Sequence, residues 1–189
     1  MGRPISLRAP FAPEEAARLR AGDEVLLSGV VFTARDAAHE QLFHLLAAGK
    51  PLPVDLRGQV IYYCGPTPAR PGRPIGSAGP TTASRMDAYT PALLAYGIRG
   101  MIGKGRRSPE VREAILRYRA IYFGAVEGTA AMLGERVGDA KIVAFPDLGP
   151  EAVYCLAVED FPVIVVYDLT GRDLYEEGRA RYSKARGEH

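Results

Sequence analysis

Short apolar runs alternate along the chain with segments whose apolar residues recur at helical spacing. Residues 24–34 read as a strand. Residues 36–48 read as a helix carrying Leu42, Leu45 and Leu46, with Asp36 as N-cap and Gly49 as stop. A connector over 51–58 leads to a strand at 59–64 and then to a Gly/Pro-rich loop at 65–80. A loop of roughly 15 residues in a small domain usually carries function. Residues 84–96 read as helical and end at Gly97; Pro91 either kinks that helix or follows Thr90 as the cap of a new one. A strand at 100–103 precedes Ser108-Pro109-Glu110, a cap, a first-turn proline and a first-turn acid that start a helix running to about Tyr118. Strands at 120–126, 141–145, 153–158 and 163–167 and a helix at 129–137 complete the pattern. The alternation predicts an α/β fold with a mixed or mostly parallel sheet.

The 189 residues favour one domain, over 1–175, with a basic tail at 176–189 read as solvated or frayed. The formal net charge is +2, too balanced to suggest nucleic acid or a membrane surface by field alone. The start of the chain lacks the apolar core of a signal peptide, and no run approaches the ~20 apolar residues of a membrane span. The simplest expectation is a cytoplasmic protein. Cys64 and Cys155 sit in apolar, strand-like runs and read as buried thiols; without a CxxC they hold no cluster or thiolate zinc site alone.

In an open α/β sheet, ligands gather where strands end and helices begin. Arg35 follows the first long strand, Thr81, Thr82 and Arg85 surround a helix start, and Lys104 follows a short strand. Arginine grips a carboxylate through two parallel hydrogen bonds, lysine adds a point charge, and a hydroxyl exchanges a proton only with help. Three cations and a hydroxyl pair therefore suit a small ligand with two carboxylates. Each residue also has a plain reading. The arginines would be surface groups, awkwardly placed at helix starts, where the dipole disfavours a cation. The threonines would be caps, Lys104 part of a basic turn, and His39 and His44 structural or surface histidines. Gly103-Lys104-Gly105 is no P-loop, Gly76–Gly79 is no dinucleotide fingerprint, and no zinc or nucleophile-elbow motif occurs.

The stretches Thr33-Ala-Arg35-Asp-Ala-Ala-His39, Ile61-Tyr-Tyr-Cys-Gly-Pro66, Gly76-Ser-Ala-Gly-Pro-Thr-Thr-Ala-Ser-Arg-Met-Asp87, Met101-Ile-Gly-Lys-Gly105, Gly149-Pro-Glu-Ala152 and Val158-Glu-Asp-Phe-Pro162 carry a resemblance. Over about residues 5–175 the chain resembles the β subunit, or C-terminal domain, of the iron–sulfur-dependent class I fumarase and L-tartrate dehydratase family. Ser84 departs from the glycine of many relatives, and Cys64 from another small residue. The resemblance implies a swivelling β/β/α domain with a mixed sheet, similar to the mobile domain of aconitase. It implies a site shared with a partner α subunit, whose three cysteines hold a 4Fe-4S cluster that grips the substrate hydroxyl and a carboxylate. By the same resemblance Arg35, Thr82, Arg85 and Lys104 bind substrate. Thr81 is the base that takes a proton from carbon, assisted by an acidic residue of the partner.

The expected activity is reversible hydration of fumarate to (S)-malate, with tartrate dehydration as the alternative. A non-catalytic dicarboxylate- or anion-binding module is the rival of another class. A nucleic-acid-binding domain would rest only on Arg106, Arg107 and the tail.

Overall fold

The computed structural model describes residues 3–125 and 129–186, with side chains through 183. Among these, strands β1 (Ile5–Ala9), β2 (Glu24–Thr33), β3 (Val60–Tyr62), β4 (Gly100–Gly103) and β5 (Ile121–Gly124) run parallel, each beside the next. Strand β7 (Val153–Tyr167) runs antiparallel to β5 and to β6 (Val137–Ala144), and it also pairs with β2. That second pairing closes β2, β3, β4, β5 and β7 into a barrel-like ring, with β1 and β6 attached outside it. The mixed sheet and its ring are compatible with a swivelling β/β/α domain.

Side chains alternate across each strand, so both faces of the ring strands must be covered. Val60, Tyr62 and Cys64 join a core cluster with Val25, Leu27, Ile102, Phe123 and Phe161, drawn from every ring strand and filling the inside. Ile61 and Tyr63 face the other way, into a second cluster with Met101, Tyr122 and Val166. That outer cluster is roofed by α2 (Asp36–Ala47), α3 (Thr90–Tyr96) and α4 (Pro109–Tyr118), through Leu42, Leu93 and Ile115 among others. Helix α1 (Pro13–Ala16) contributes Ala16 to the inner cluster, and α5 (Ala130–Glu135) contributes Leu133.

Several boundaries differ from expectation. β1 and α1 precede the first predicted element. The predicted 84–96 helix divides into a 3-10 turn, Ala83–Met86, and α3, which starts at Thr90 behind Tyr89. The Thr90 hydroxyl donates back to the Met86 carbonyl rather than capping α3. The two predicted strands at 153–158 and 163–167 are one strand, β7, bulged where Asp160 takes a φ of 47°. The predicted 129–137 helix is the shorter α5, and β6 begins at Val137 rather than at residue 141. Val126 lies outside the described residues. The predicted tail is mostly helix: α6 (Leu174–Arg186) runs across the expected boundary at residue 175. Among the described residues no helix is long and apolar enough to cross a membrane.

Candidate functional site

Three parallel strands deliver the candidate residues to one end of the sheet. Arg35 lies two residues beyond β2, Tyr63 follows β3 directly, and Lys104 follows β4 directly. The Thr81–Thr82 segment lies between the last two tips, held by main-chain bonds. Thr81 N–H donates to the Tyr63 carbonyl at 2.6 Å, Lys104 N–H donates to the Thr81 carbonyl at 3.3 Å, and Ala83 N–H donates to the Lys104 carbonyl at 2.8 Å. Thr82 and Lys104 thus form an isolated parallel bridge. This short rung extends the sheet, and Thr82 also holds the N-cap position of the 3-10 turn, though its side chain makes no cap hydrogen bond. Among the described residues no side chain hydrogen-bonds the half-buried Thr81 hydroxyl.

The loop that carries this rung is pinned further back. The buried Tyr62 hydroxyl donates to the Ala78 carbonyl, and Ala78 N–H donates to Ala130. Gly76 is crowded: a Cβ there would meet the Thr67 hydroxyl at 2.2 Å and the Pro68 carbonyl at 2.6 Å. Only glycine passes through that gap.

The 3-10 turn then brings Arg85 back to α2, where its Nε donates to Asp36 Oδ1 at 2.7 Å. Asp36 Oδ2 faces Arg35 Nη2 at 3.7 Å. One carboxylate therefore sits between the two arginines, a link that residue spacing does not show. Asp36 is the first residue of α2, and Arg35, not Asp36, holds the N-cap position. A second acid arrives from far along the chain. Glu151 Oε2 accepts from Ala37 N–H at 2.9 Å, while its Oε1 lies 3.4 Å from Arg35 Nη2. The cation at the helix start is thus offset by two carboxylates, which the dipole favours there. Gly65 makes room: a Cβ on it would stand 2.9 Å from the Pro150 carbonyl and 3.2 Å from Arg35 Nη1. The signal for Glu151 lay in the Gly149-Pro-Glu-Ala152 stretch, and that for Asp36 beside Arg35; neither stretch announces its partner.

Beneath the rung lies a buried hub around Arg107. Its side chain is 0% exposed, and Nε donates to Asp87 at 2.6 Å. Nη1 donates to the Tyr63 hydroxyl at 3.0 Å and Nη2 to the Thr90 hydroxyl at 2.7 Å, between the rings of Tyr63 and Tyr122. Burial opposes the charge, but the Tyr63 and Asp87 oxygens outweigh it and the guanidinium pKa is raised. Asp87 also accepts Ser108 N–H at 2.7 Å. The Arg-Met-Asp end of the loop is therefore bolted to α4 and the tip of β3. The expected basic turn at 103–107 is only partly surface, and Arg107 offers no charge to a nucleic acid.

His39 is fully buried against Tyr63, with Nδ1 donating to the Arg35 carbonyl at 2.9 Å in its neutral form. It is the structural histidine the sequence suggests; His44 is exposed, and His189 lies outside the described residues. Burial lowers its pKa from 6.5 to about 4, against the Arg35 carbonyl bond and helped by the Arg107 charge. The unfolded chain therefore takes up the proton first as pH falls. The stabilisation is complete above about pH 6.5 and is lost between there and about pH 4, about 3 kcal/mol in all. Urea denaturation across that window is expected to show this loss, with a shallower dependence in His39→Phe; equal slopes would remove His39 as the cause.

Cys64 and Cys155 are free. Burial pushes the Cys64 thiol up to about 12, so it stays protonated. Cys155 is half-buried, less than expected. Among the described residues no three His, Cys, Asp or Glu side chains gather as a metal site. These side chains do not fit an iron–sulfur cluster.

The sequence pattern of the family described as Fumarase C-terminus matches residues 2–178. The chain is 40% identical over 153 residues to "Fumarate hydratase class I, anaerobic" of Escherichia coli, covering 80% of this chain and 28% of that protein. It is 37% identical over 177 residues to "Fumarate hydratase 2" of Leishmania major, covering 92% of this chain and 31% of that one. It is 36% identical over 170 residues to a Methanocaldococcus jannaschii protein provisionally named L(+)-tartrate dehydratase subunit beta, covering 87% of each. The chain thus spans about a third of the fumarate hydratases it matches and most of the tartrate dehydratase subunit. It belongs to the Fumarase C-terminus family, whose relatives named here are hydro-lyases.

Proposed function

We propose that this chain is the β half of a hydro-lyase that interconverts a C4 dicarboxylate and its hydrated form, with fumarate and (S)-malate as the pair. The observation that carries the reading is the arginine pair, Arg35 and Arg85, joined through Asp36 beside the Thr81–Thr82 rung at one sheet end. Arg85 engages Asp36 through Nε, so its terminal nitrogens remain for a substrate carboxylate. Lys104 adds charge from the next strand tip, and Thr82 lines the same edge. In dehydration the Thr81 oxygen takes the proton from the carbon next to the hydroxyl-bearing carbon. The C–H pair becomes the new double bond as the C–O bond breaks with its electron pair on oxygen, and the departing hydroxide takes a proton from a partner acid or from solvent to become water. In hydration the proton returns. A hydroxyl needs an external base for this, and none is paired with Thr81 among the described residues. We place that helper on a separate α subunit, together with a 4Fe-4S cluster that would supply Lewis acidity toward the leaving hydroxyl, so that activity requires both chains.

A second reading, dehydration of L-tartrate to oxaloacetate, is favoured by one observation: the subunit beta relative matches this chain over 87% of both lengths. Mixing the chain with a cluster-bearing α subunit and following fumarate absorbance is expected to show turnover absent from either chain alone. Arg85→Ala is expected to lower kcat/KM by about 10- to 150-fold, the loss of charge-assisted hydrogen bonds worth about 1.5–3 kcal/mol. A parallel tartrate assay assigns the substrate. No turnover of either compound, together with tight fumarate binding to the isolated chain by calorimetry, would move the protein to the anion-binding class.

A further inference from the structure

Among the described residues, the buried polar side-chain atoms without a hydrogen-bond partner include Arg35 Nε, Asp36 Oδ2 and His39 Nε2, all within one stretch of five residues. Such atoms cost free energy wherever they stay unmatched. Two of them belong to an arginine and an aspartate whose side chains face each other at 3.7 Å, too far for a hydrogen bond. The other oxygen of that aspartate is fully engaged, accepting Arg85 Nε at 2.7 Å. Asp36 is itself only partly exposed, at 31%, and it is anchored at the first residue of α2, next to Ala37, whose N–H donates to Glu151. Arg85, at 52% exposed, has no other fixed partner recorded among the described residues.

We propose that Asp36 is a positioning residue that couples Arg35 and Arg85, holding Arg85 by Nε so that its terminal nitrogens stay aimed at a substrate carboxylate beside Arg35. This deepens the functional reading above and rests on it. The geometry has three consequences. Arg85 stands on a short turn and would otherwise sweep solvent, so its orientation depends on a residue of another element. Asp36 and Glu151 balance the formal charge of the two arginines, so a substrate carboxylate is drawn here by the open terminal nitrogens of Arg85 rather than by surplus charge. The second carboxylate of a dicarboxylate then falls to Lys104 or to groups outside this chain. Asp36 touches no reacting atom in this arrangement; it acts through the guanidinium it holds.

Two measurements test it. In the isolated chain, nitrogen-15 NMR of arginine Nε–H groups is expected to show Arg85 as a separate, slowly exchanging signal. That signal is expected to collapse to the solvent-averaged position in Asp36→Ala and to survive in Asp36→Glu. In the reconstituted enzyme, Asp36→Ala is expected to raise KM about tenfold while kcat changes less than threefold. In an Arg85→Ala background it is expected to add less than twofold, because its effect passes through Arg85. Thermal unfolding of the isolated variant separates this from a helix-start defect, which would lower Tm without touching the cycle. An Arg85 signal indifferent to Asp36→Ala, or KM effects that multiply in the double variant, would overturn the proposal. If wild-type protein turns over neither fumarate nor tartrate, the functional reading fails by itself, and the NMR arm still decides whether Asp36 holds Arg85.

Discussion

Thr81→Ala is expected to abolish turnover in the reconstituted enzyme while leaving the fold of this chain intact. The two expectations come from different atoms of one residue. The fold uses the main chain of Thr81, which donates to Tyr63 and accepts from Lys104. The proposed chemistry uses the hydroxyl, to which no side chain is hydrogen-bonded among the described residues. Removing a positioned proton-transfer group costs about 10²- to 10⁴-fold in kcat. Unfolding free energies of the variant and the parent from urea denaturation are expected to agree within about 0.5 kcal/mol, as for surface-like changes. Thr81→Ser retains an oxygen on the same backbone and is expected to recover part of the rate. A fully active Thr81→Ala enzyme would refute the assignment of the base, whatever the substrate proves to be.

Arg107→Met is expected to have the largest effect on stability. The substitution keeps an unbranched chain of similar length in an apolar pocket but strips Asp87 of its cation and leaves the Tyr63 and Thr90 hydroxyls without their donor. Breaking one side of a buried ion pair costs about 3–5 kcal/mol. Arg107→Lys is not expected to rescue it. An ammonium is a point charge and cannot reach Asp87, Tyr63 and Thr90 together as the planar fork does. Equilibrium urea denaturation checks both variants, and a loss under about 1 kcal/mol for Arg107→Met would show that the hub contributes little. Because Tyr63 also accepts the Thr81 amide through its carbonyl, a surviving Arg107 variant is expected to be slower as well as less stable.

The elements most legible in the sequence are those with local signals. β2 is a long apolar run, and α4 has a serine cap, whose oxygen accepts Val111 N–H at 3.3 Å, followed by a proline. Both appear within a residue or two of expectation. The clustering of the five candidate residues was also legible, in the sense that strand ends and helix starts pointed to them: Arg35, Thr81, Thr82, Arg85 and Lys104 lie at one sheet end. What the sequence could not show was set by distant partners. Pro162 and the Glu159-Asp160 pair read as a break, yet β7 continues through them because β2 and β6 hold it from both sides. β1 has only two buried residues in five, too weak a pattern to stand out next to Pro10. Arg106 and Arg107 are chemically identical neighbours; only the fold decides that one faces solvent and the other a buried aspartate. Asp36 and Glu151 matter through arginines, one of which lies over a hundred positions away in the chain.

The ring of strands has a consequence for how the molecule comes into being. Its closing seam joins β2, residues 24–33, to β7, residues 153–167, so the first and last strands of the ring are its neighbours. Contacts so distant in sequence repay the entropy of loop closure only late, which makes such folds slow among domains of their size. During synthesis, β2, β3, β4 and their tips leave the ribosome well before the strand that locks them. Until β7 is made, the inner face of the ring, with Val25, Leu27 and Phe123, stays open to water and to other chains. The vulnerable interval in the life of this protein is therefore the nascent one, and its length is set by translation through the final strand.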